Sequence, residues 1–168
     1  MVEISPLTGP DRAGWEVLAR GFKATFQAEV SDDGYEQTWR RLLDGEQIRG
    51  IAARLDGKVV GIAHYYFHAS VWSAGSCYLA DLFVDQEVRR RGIAQAMIEW
   101  VAKDAEEHGA ARLHWHTPQD NTTTRALYDK VARATGHITY SRRLSTNQSS
   151  IPALKPHLPR LPNRPWSE

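Results

Sequence analysis

The sequence predicts an α/β domain: a mixed, mostly antiparallel sheet with helices on both of its faces. Two observations carry this prediction. Residues 47–84 read as three consecutive strands, the first two joined by Asp56-Gly57, a strong two-residue hairpin signal. After them, a helical period over 92–108 is followed by a short strand over Arg112–Thr117, which implies a parallel crossover.

Taken in order, Val2–Leu7 is a short edge strand, stopped by Pro6 and Pro10. Asp11–Gln27 places Trp15, Leu18, Ala19, Phe22 and Phe26 at helical spacing, with Asp11 in position to cap. Asp32 or Asp33 caps a second helix, whose apolar face is Tyr35, Trp39, Leu42 and Leu43. The linker between them, Ala28–Ser31, is short. Gln47–Leu55 and Lys58–His68 form the hairpin, 70–75 is a turn region, and Ser76–Val84 is rich in strand-forming Tyr, Leu, Phe and Val. Ile93, Met97, Val101 and Ala105 recur at four-residue steps up to His108, with Gly109 as the stop. Asn121–Ala134 is a further helix and His137–Leu144 a closing strand. The domain therefore spans 1–144. Over 145–168, Pro152, Pro156, Pro159, Pro162 and Pro165 punctuate a segment without periodicity, a Pro-rich tail either disordered or laid over the surface.

A chain of 168 residues can bury a substantial core as one domain. Its formal net charge of +1 provides no global field for nucleic acid or an anionic membrane. The single cysteine, Cys77, excludes an internal disulfide and fits a reducing compartment. No apolar run approaches the ~18–20 residues of a membrane span, and the N-terminus lacks a signal-peptide pattern. A cytoplasmic location is the expectation.

The arginine run is thus a local feature. Arg89, Arg90 and Arg91 lead into Gly92 and a helix start that has no capping side chain. A helix N-terminus is the positive end of the macrodipole and ordinarily takes acidic or hydroxyl residues. Three cations there are unfavourable unless something negative joins them. Free backbone N–H groups, a glycine and guanidinium groups together describe a phosphate cradle. An exposed basic turn with solvated arginines is the alternative from these residues alone.

Three segments in register resemble the GNAT superfamily of acetyl-CoA-dependent N-acetyltransferases. They are the strand Tyr78-Leu-Ala-Asp-Leu-Phe-Val84, the loop Arg89-x-x-Gly92-x-Ala94, and Asn121 followed seven residues on by Tyr128. Within the superfamily the chain is similar to the polyamine and small-amine enzymes, and to a yeast-type branch acting on histones, polyamines and D-amino acids. It departs from them at Ala80, where several members carry a Glu that helps take the proton from the amine.

The resemblance implies a sheet splayed between its fourth and fifth strands, with acetyl-CoA as co-substrate in the splay. Leu82, Phe83 and Val84 would offer backbone groups to the pantetheine. The N–H groups of Arg90, Arg91, Gly92, Ile93, Ala94 and Gln95 would hold the pyrophosphate, with the side chains of Arg89 to Arg91 free for the adenosine 3′-phosphate. Asn121 would hydrogen-bond near the pantetheine arm, and Tyr128 would protonate the departing thiolate. Asp81, Glu29, His64, His68, His114 and His116 are candidates for the proton acceptor, and Asp81 and Glu29 could instead hold the substrate's cation. Trp72, ahead of the fourth strand, is placed to line the acceptor site.

The activity so implied is direct transfer, in a ternary complex, of acetyl to a primary amine of a small molecule: a polyamine, an amino acid or similar. Protein lysine or N-terminal acetylation, and a non-catalytic acyl-CoA-binding module, are the alternatives. His114-x-His116 lacks a third metal ligand in sequence, so no metal is expected. Cys77 has no recognisable partner as a nucleophile and reads as core. Homodimerisation is common in the resembling families and is an expectation from them alone.

Overall fold

The computed structural model describes residues 1–142 and 144; the Pro-rich segment 145–168 lies outside the described residues. The elements are β1 (Val2–Pro6), α1 (Arg12–Thr25), α2 (Asp32–Asp44), β2 (Arg49–Leu55), β3 (Lys58–His68), β4 (Ser76–Val84), α3 (Ile93–Glu107), β5 (Leu113–His114) and α4 (Thr122–Val131). Short 3-10 turns at Gly9–Asp11 and Gln86–Val88 precede α1 and α3. The strands run β1-β2-β3-β4-β5 across one sheet. The first three pairings are antiparallel and β4–β5 is parallel.

Local chemistry explains the joints. Asp56 and Gly57 have φ of 49° and 77°, so both central residues of the β2–β3 turn are left-handed. That is the twist a two-residue hairpin needs. Ser31, rather than Asp32 or Asp33, caps α2: its hydroxyl accepts from the Gly34 N–H at 3.1 Å, and the two aspartates fall in the first turn. There they face the positive end of the helix dipole.

The sheet is buried on both sides. Trp15, Leu18, Trp39 and Leu42 of α1 and α2 pack with Ala52 and Ile62 on one face. Met97, Ile98 and Val101 of α3 pack with Ile51, Ala63, Cys77 and Leu79 on the other. Consecutive residues Ile51, Ala52 and Ala53 divide between the two cores and are all fully buried. This period-2 division is the reason β2 reads as a continuous small-apolar run.

Two expectations need correction. The strand over Arg112–Thr117 shortens to Leu113–His114, because β5 meets β4 only at Cys77↔Leu113 and Tyr78↔His114 before the two diverge. The closing strand over His137–Leu144 does not form in the described residues of that stretch. Ile138, Tyr140 and Leu144, its apolar alternation, are 74%, 88% and 70% exposed. Alternation states that a segment suits a half-buried strand, but it cannot supply the partner edge. A two-residue β5 offers almost none.

Candidate active site

The site begins with an unpaired edge. Past Tyr78, β4 continues to Val84 with no strand on its β5 side among the described residues, so the backbone there faces the splay. Its other side stays paired to β3, with one irregularity: Tyr65 lies opposite Leu79 and His64 opposite Asp81, which leaves Ala80 as the extra residue of a bulge. A bulge resets the alternation of a strand. Cys77 and Leu79, then Leu82 and Val84, face the α3 core. Phe83 faces the α1–α2 core, and Asp81 joins it on that side, with Ala80 left exposed.

At the end of β4 the chain turns through the arginines. Arg89 is committed within the protein: its Nε donates to the Val84 carbonyl at 3.1 Å and its guanidinium lies 5.5 Å from the centre of the Phe83 ring. Arg90 and Gly92 both have positive φ, 63° and 76°. For arginine that conformation costs roughly 1–2 kcal/mol. Such left-handed residues turn successive backbone N–H groups to one side, an anion-binding nest.

The first intrahelical bond of α3 runs from the Ala96 N–H to the Gly92 carbonyl at 2.9 Å. The N–H groups of Gly92, Ile93, Ala94 and Gln95 therefore have no helical acceptor. Among the described residues no side chain caps them, and no acidic residue stands in the first turn. A Cβ at Gly92 would meet no described atom within 4 Å. Packing does not require glycine there; its φ does, together with anything that must approach that backbone. These residues fit a pyrophosphate.

A cavity of about 260 Å³ opens on the α1–α2 face. Asp81 and His64 line its sheet side, and Lys23, Tyr35, Thr38 and Arg41 line its helical side. Behind it runs a fixed chain of hydrogen bonds. The Trp15 Nε1–H donates to His64 Nε2 at 2.9 Å, and His64 Nδ1 lies 2.7 Å from Asp81 Oδ2. An indole only donates, so His64 Nε2 must accept and the ring proton sits on Nδ1, pointing at the carboxylate. Trp15 is 1% exposed and wedged against Trp39, ring centres 5.1 Å apart, which locks the donor. Burial works to raise the Asp81 pKa; its contact with His64 leads the opposing effects, Lys23 adds the least, and together they hold the carboxyl below its ordinary range.

Tyr128 lies on α4, on the other side of the sheet, half-buried against the α3 core with its ring 5.3 Å from that of Trp115. Burial raises its pKa. Asn121 is the N-cap of α4, its Oδ1 accepting from the Thr124 N–H at 3.4 Å. Only its amide N–H groups are left to offer a ligand.

The other candidates are dispersed. Glu29 is exposed on the α1–α2 linker and does not line the cavity. Trp72 is 95% exposed and also lies outside the cavity wall. His68 pairs with His114 through their Nε2 atoms at 2.9 Å, and His116 Nδ1 lies 3.1 Å from the Tyr78 hydroxyl. None of these three lines the cavity. Cys77 is fully buried and its thiol is pushed up to about 11 by that burial, so it is core. Among the described residues no cluster of three or more metal-ligating side chains occurs, and no helix is long and apolar enough to cross a membrane. Sequence reading missed Trp15, Lys23 and Arg41. Trp15 reads as packing from its spacing, and nothing local distinguishes Lys23 or Arg41 from other helix cations.

Comparison with known proteins agrees with this geometry. The profile of the acetyltransferase (GNAT) family matches residues 15–132. A D-amino-acid N-acetyltransferase of Saccharomyces cerevisiae is 26% identical over 145 residues, covering 84% of this chain and 90% of the relative. A thialysine N-epsilon-acetyltransferase of Bos taurus is 36% identical over 116 residues, 69% of this chain and 68% of the relative. In fold, the chain resembles a ribosomal-protein-alanine N-acetyltransferase of Brucella melitensis biovar Abortus 2308, with a TM-score of 0.70, 24% identity, and 86% of this chain and all of that one covered. An aminoglycoside N-acetyltransferase in complex with CoA gives a TM-score of 0.76 at 20% identity, covering 85% of this chain and 95% of that one. With the splayed parallel pair, the uncapped helix start and the family profile across both, the chain belongs to the GNAT family of acetyltransferases.

Proposed function

We propose that this enzyme transfers acetyl from acetyl-CoA to the primary amine of a small molecule, directly within a ternary complex. One observation carries the reading. Asp81 belongs by its backbone to the free edge of β4 and by its side chain to the cavity on the α1–α2 face. A thioester lying along that edge and an amine entering the cavity would therefore meet at one residue.

Each part of the chain then has a task. The backbone of Leu82 to Val84 extends the sheet onto the pantetheine as an added strand. The N–H groups from Arg90 to Gln95 bind the pyrophosphate, and the side chains of Arg90 and Arg91 remain for the 3′-phosphate. Backbone N–H groups of the bulge polarise the thioester carbonyl, and the reaction gains chiefly from proximity and this oxyanion stabilisation. The Asn121 amide N–H groups steady the pantetheine arm, and Tyr128 gives its proton to the leaving sulfur.

The amine must lose a proton before it attacks. An alkyl ammonium of pKa ~10.4 is about 0.04% neutral at pH 7, so deprotonation costs about 4–5 kcal/mol. His64 has no free lone pair for that proton, since both ring nitrogens are engaged. Asp81, held ionised, is suited to keep the ammonium in place while its proton leaves through water in the cavity. Glu29 is too exposed to share that task in the arrangement described.

Calorimetric titration of acetyl-CoA into the wild type and Gly92→Trp tests the cradle, and an amine panel with Tyr128→Phe tests the chemistry. Micromolar binding that Gly92→Trp abolishes supports the reading. No binding by the wild type at millimolar acetyl-CoA refutes it.

A further inference from the structure

We propose that the cavity selects an amine carrying its own anionic group, of the amino-acid kind, with Asp81 holding the ammonium and Lys23 and Arg41 the anion. The inference rests on the acetyltransferase reading of the same site and specifies its acceptor. It comes from an unequal use of charge on α1 and α2. These helices carry several cations, and most are matched: Arg12 pairs with Glu16 and Glu36, Arg20 with Glu16 and Asp32, and Arg40 with Glu36. Lys23 and Arg41 line the cavity, and neither has an ion-pair partner among the described residues.

The cavity wall is therefore dipolar. On its sheet side is one anion, fixed by the Trp15–His64 chain; on its helical side are two cations without counter-charges. Lys23 and Asp81 lie beyond ion-pair distance of each other, yet the Lys23 charge still reaches the carboxyl. The Lys23 ammonium rests 5.3 Å from the centre of the Phe22 ring, which holds it at the cavity rather than in bulk water. Thr38 and Arg41 follow at one-turn spacing on α2; the Thr38 hydroxyl donates to the Gly34 carbonyl at 2.8 Å, so the Arg41 guanidinium is the donor this helix offers an anion. The planar fork of a guanidinium matches the two oxygens of a carboxylate.

A polyamine would satisfy Asp81 with one end and bring its second ammonium against two like charges. A zwitterion meets opposite charge at both ends. The volume of about 260 Å³ lies just below the usual range for drug-sized ligands, which suits a small metabolite.

The test uses acceptors that differ only in the carboxylate: racemic lysine against cadaverine, and racemic alanine against ethylamine. Each is titrated calorimetrically into the full-length enzyme, alone and saturated with CoA, and assayed for turnover. At least one amino acid should bind roughly tenfold or more tightly than its decarboxylated partner. Lys23→Met and Arg41→Gln should erase that margin and leave the plain amine unchanged or improved, while Asp81→Asn weakens both. Arg41 is exposed and both cations lack ion pairs, so thermal midpoints near wild type check that the variants fold. Equal or tighter binding of the plain amines, equal losses in both classes, or no binding of any probe would each overturn the proposal. Acetyl-CoA binding in the same preparation separates the two readings, because it does not depend on Lys23 or Arg41.

Discussion

Replacing Gly92 by alanine separates the fold from the ligand site with one methyl group. In the protein itself the added Cβ meets nothing within 4 Å. The structural cost is then the left-handed backbone alone, since φ at this position is 76°. That penalty is about 1–2 kcal/mol, or a drop of roughly 2–8 °C in Tm for a chain of this size. The ligand-side cost has a different origin. In the proposed cradle, a methyl beside the N–H groups of Ile93, Ala94 and Gln95 would hold the pyrophosphate away from them. Losing one charge-assisted hydrogen bond removes about 1.5–3 kcal/mol, which is roughly 10- to 150-fold in Kd for acetyl-CoA. Thermal unfolding of the apo protein and calorimetry at a temperature well below the transition measure the two separately. Gly92→Ala binding acetyl-CoA within about twofold of wild type, with the Tm shift present, would show that the N-terminus of α3 does not hold the phosphates.

Tyr128→Phe should lower kcat by about 10²–10⁴, the usual contribution of a general acid, without changing the Kd for acetyl-CoA. Because burial raises the Tyr128 pKa, the phenol keeps its proton beyond its ordinary value near 10, so no alkaline loss of kcat should appear below that pH. Asp81→Asn keeps an acceptor for the His64 Nδ1–H but removes the charge, so KM for the amine should rise about 10- to 150-fold with little change in Tm. In the fold, Asp11 accepts from Arg54 Nε at 2.9 Å and from the Thr8 N–H at 2.8 Å. Burial opposes ionisation of Asp11, yet these partners prevail and its pKa falls below 3.8. Its contribution is therefore complete above pH ~4 and fades as pH falls through the lower folded-state value. Asp11→Ala should cost about 3–5 kcal/mol by leaving Arg54 unpaired, and urea midpoints should lose their steepest acid dependence.

The hairpin, the third strand and the long helix were legible because each is specified locally. Asp56-Gly57 names its own turn, Lys58–His68 and Ser76–Val84 are strand-forming throughout, and the four-residue step of Ile93, Met97, Val101 and Ala105 fixes one face of α3. The uncapped start of α3 after the arginines was legible for a related reason: no residue there can cap, and none of the described side chains does. The short β5 and the missing strand over His137–Leu144 were not, since pairing depends on an edge elsewhere in the chain. Nor was Trp15–His64–Asp81, whose members are 49 and 17 residues apart in sequence. A tryptophan at core spacing carries no mark of the hydrogen bond it will make.

The bulge at Ala80 explains how Asp81, a candidate from the sequence, comes to face the cavity against the alternation of its strand. Strict alternation from Tyr78 would put Ala80 on the cavity side and turn Asp81 towards the α3 core, where an unpaired carboxylate costs far more than a strand can recover. The observed register avoids that by leaving Ala80 without a partner, which brings Asp81 opposite His64. The Asp81 carboxylate thereby reaches the cavity face of the sheet through backbone geometry. His64 then makes the shift specific, because its Nδ1–H requires an acceptor at that register and Trp15 prevents the ring from turning to find another. With Ala at position 80, the cavity still carries a charge, that of Asp81. In this chain the anion at the cavity is set by the bulge, and its position is held by a tryptophan buried under two helices.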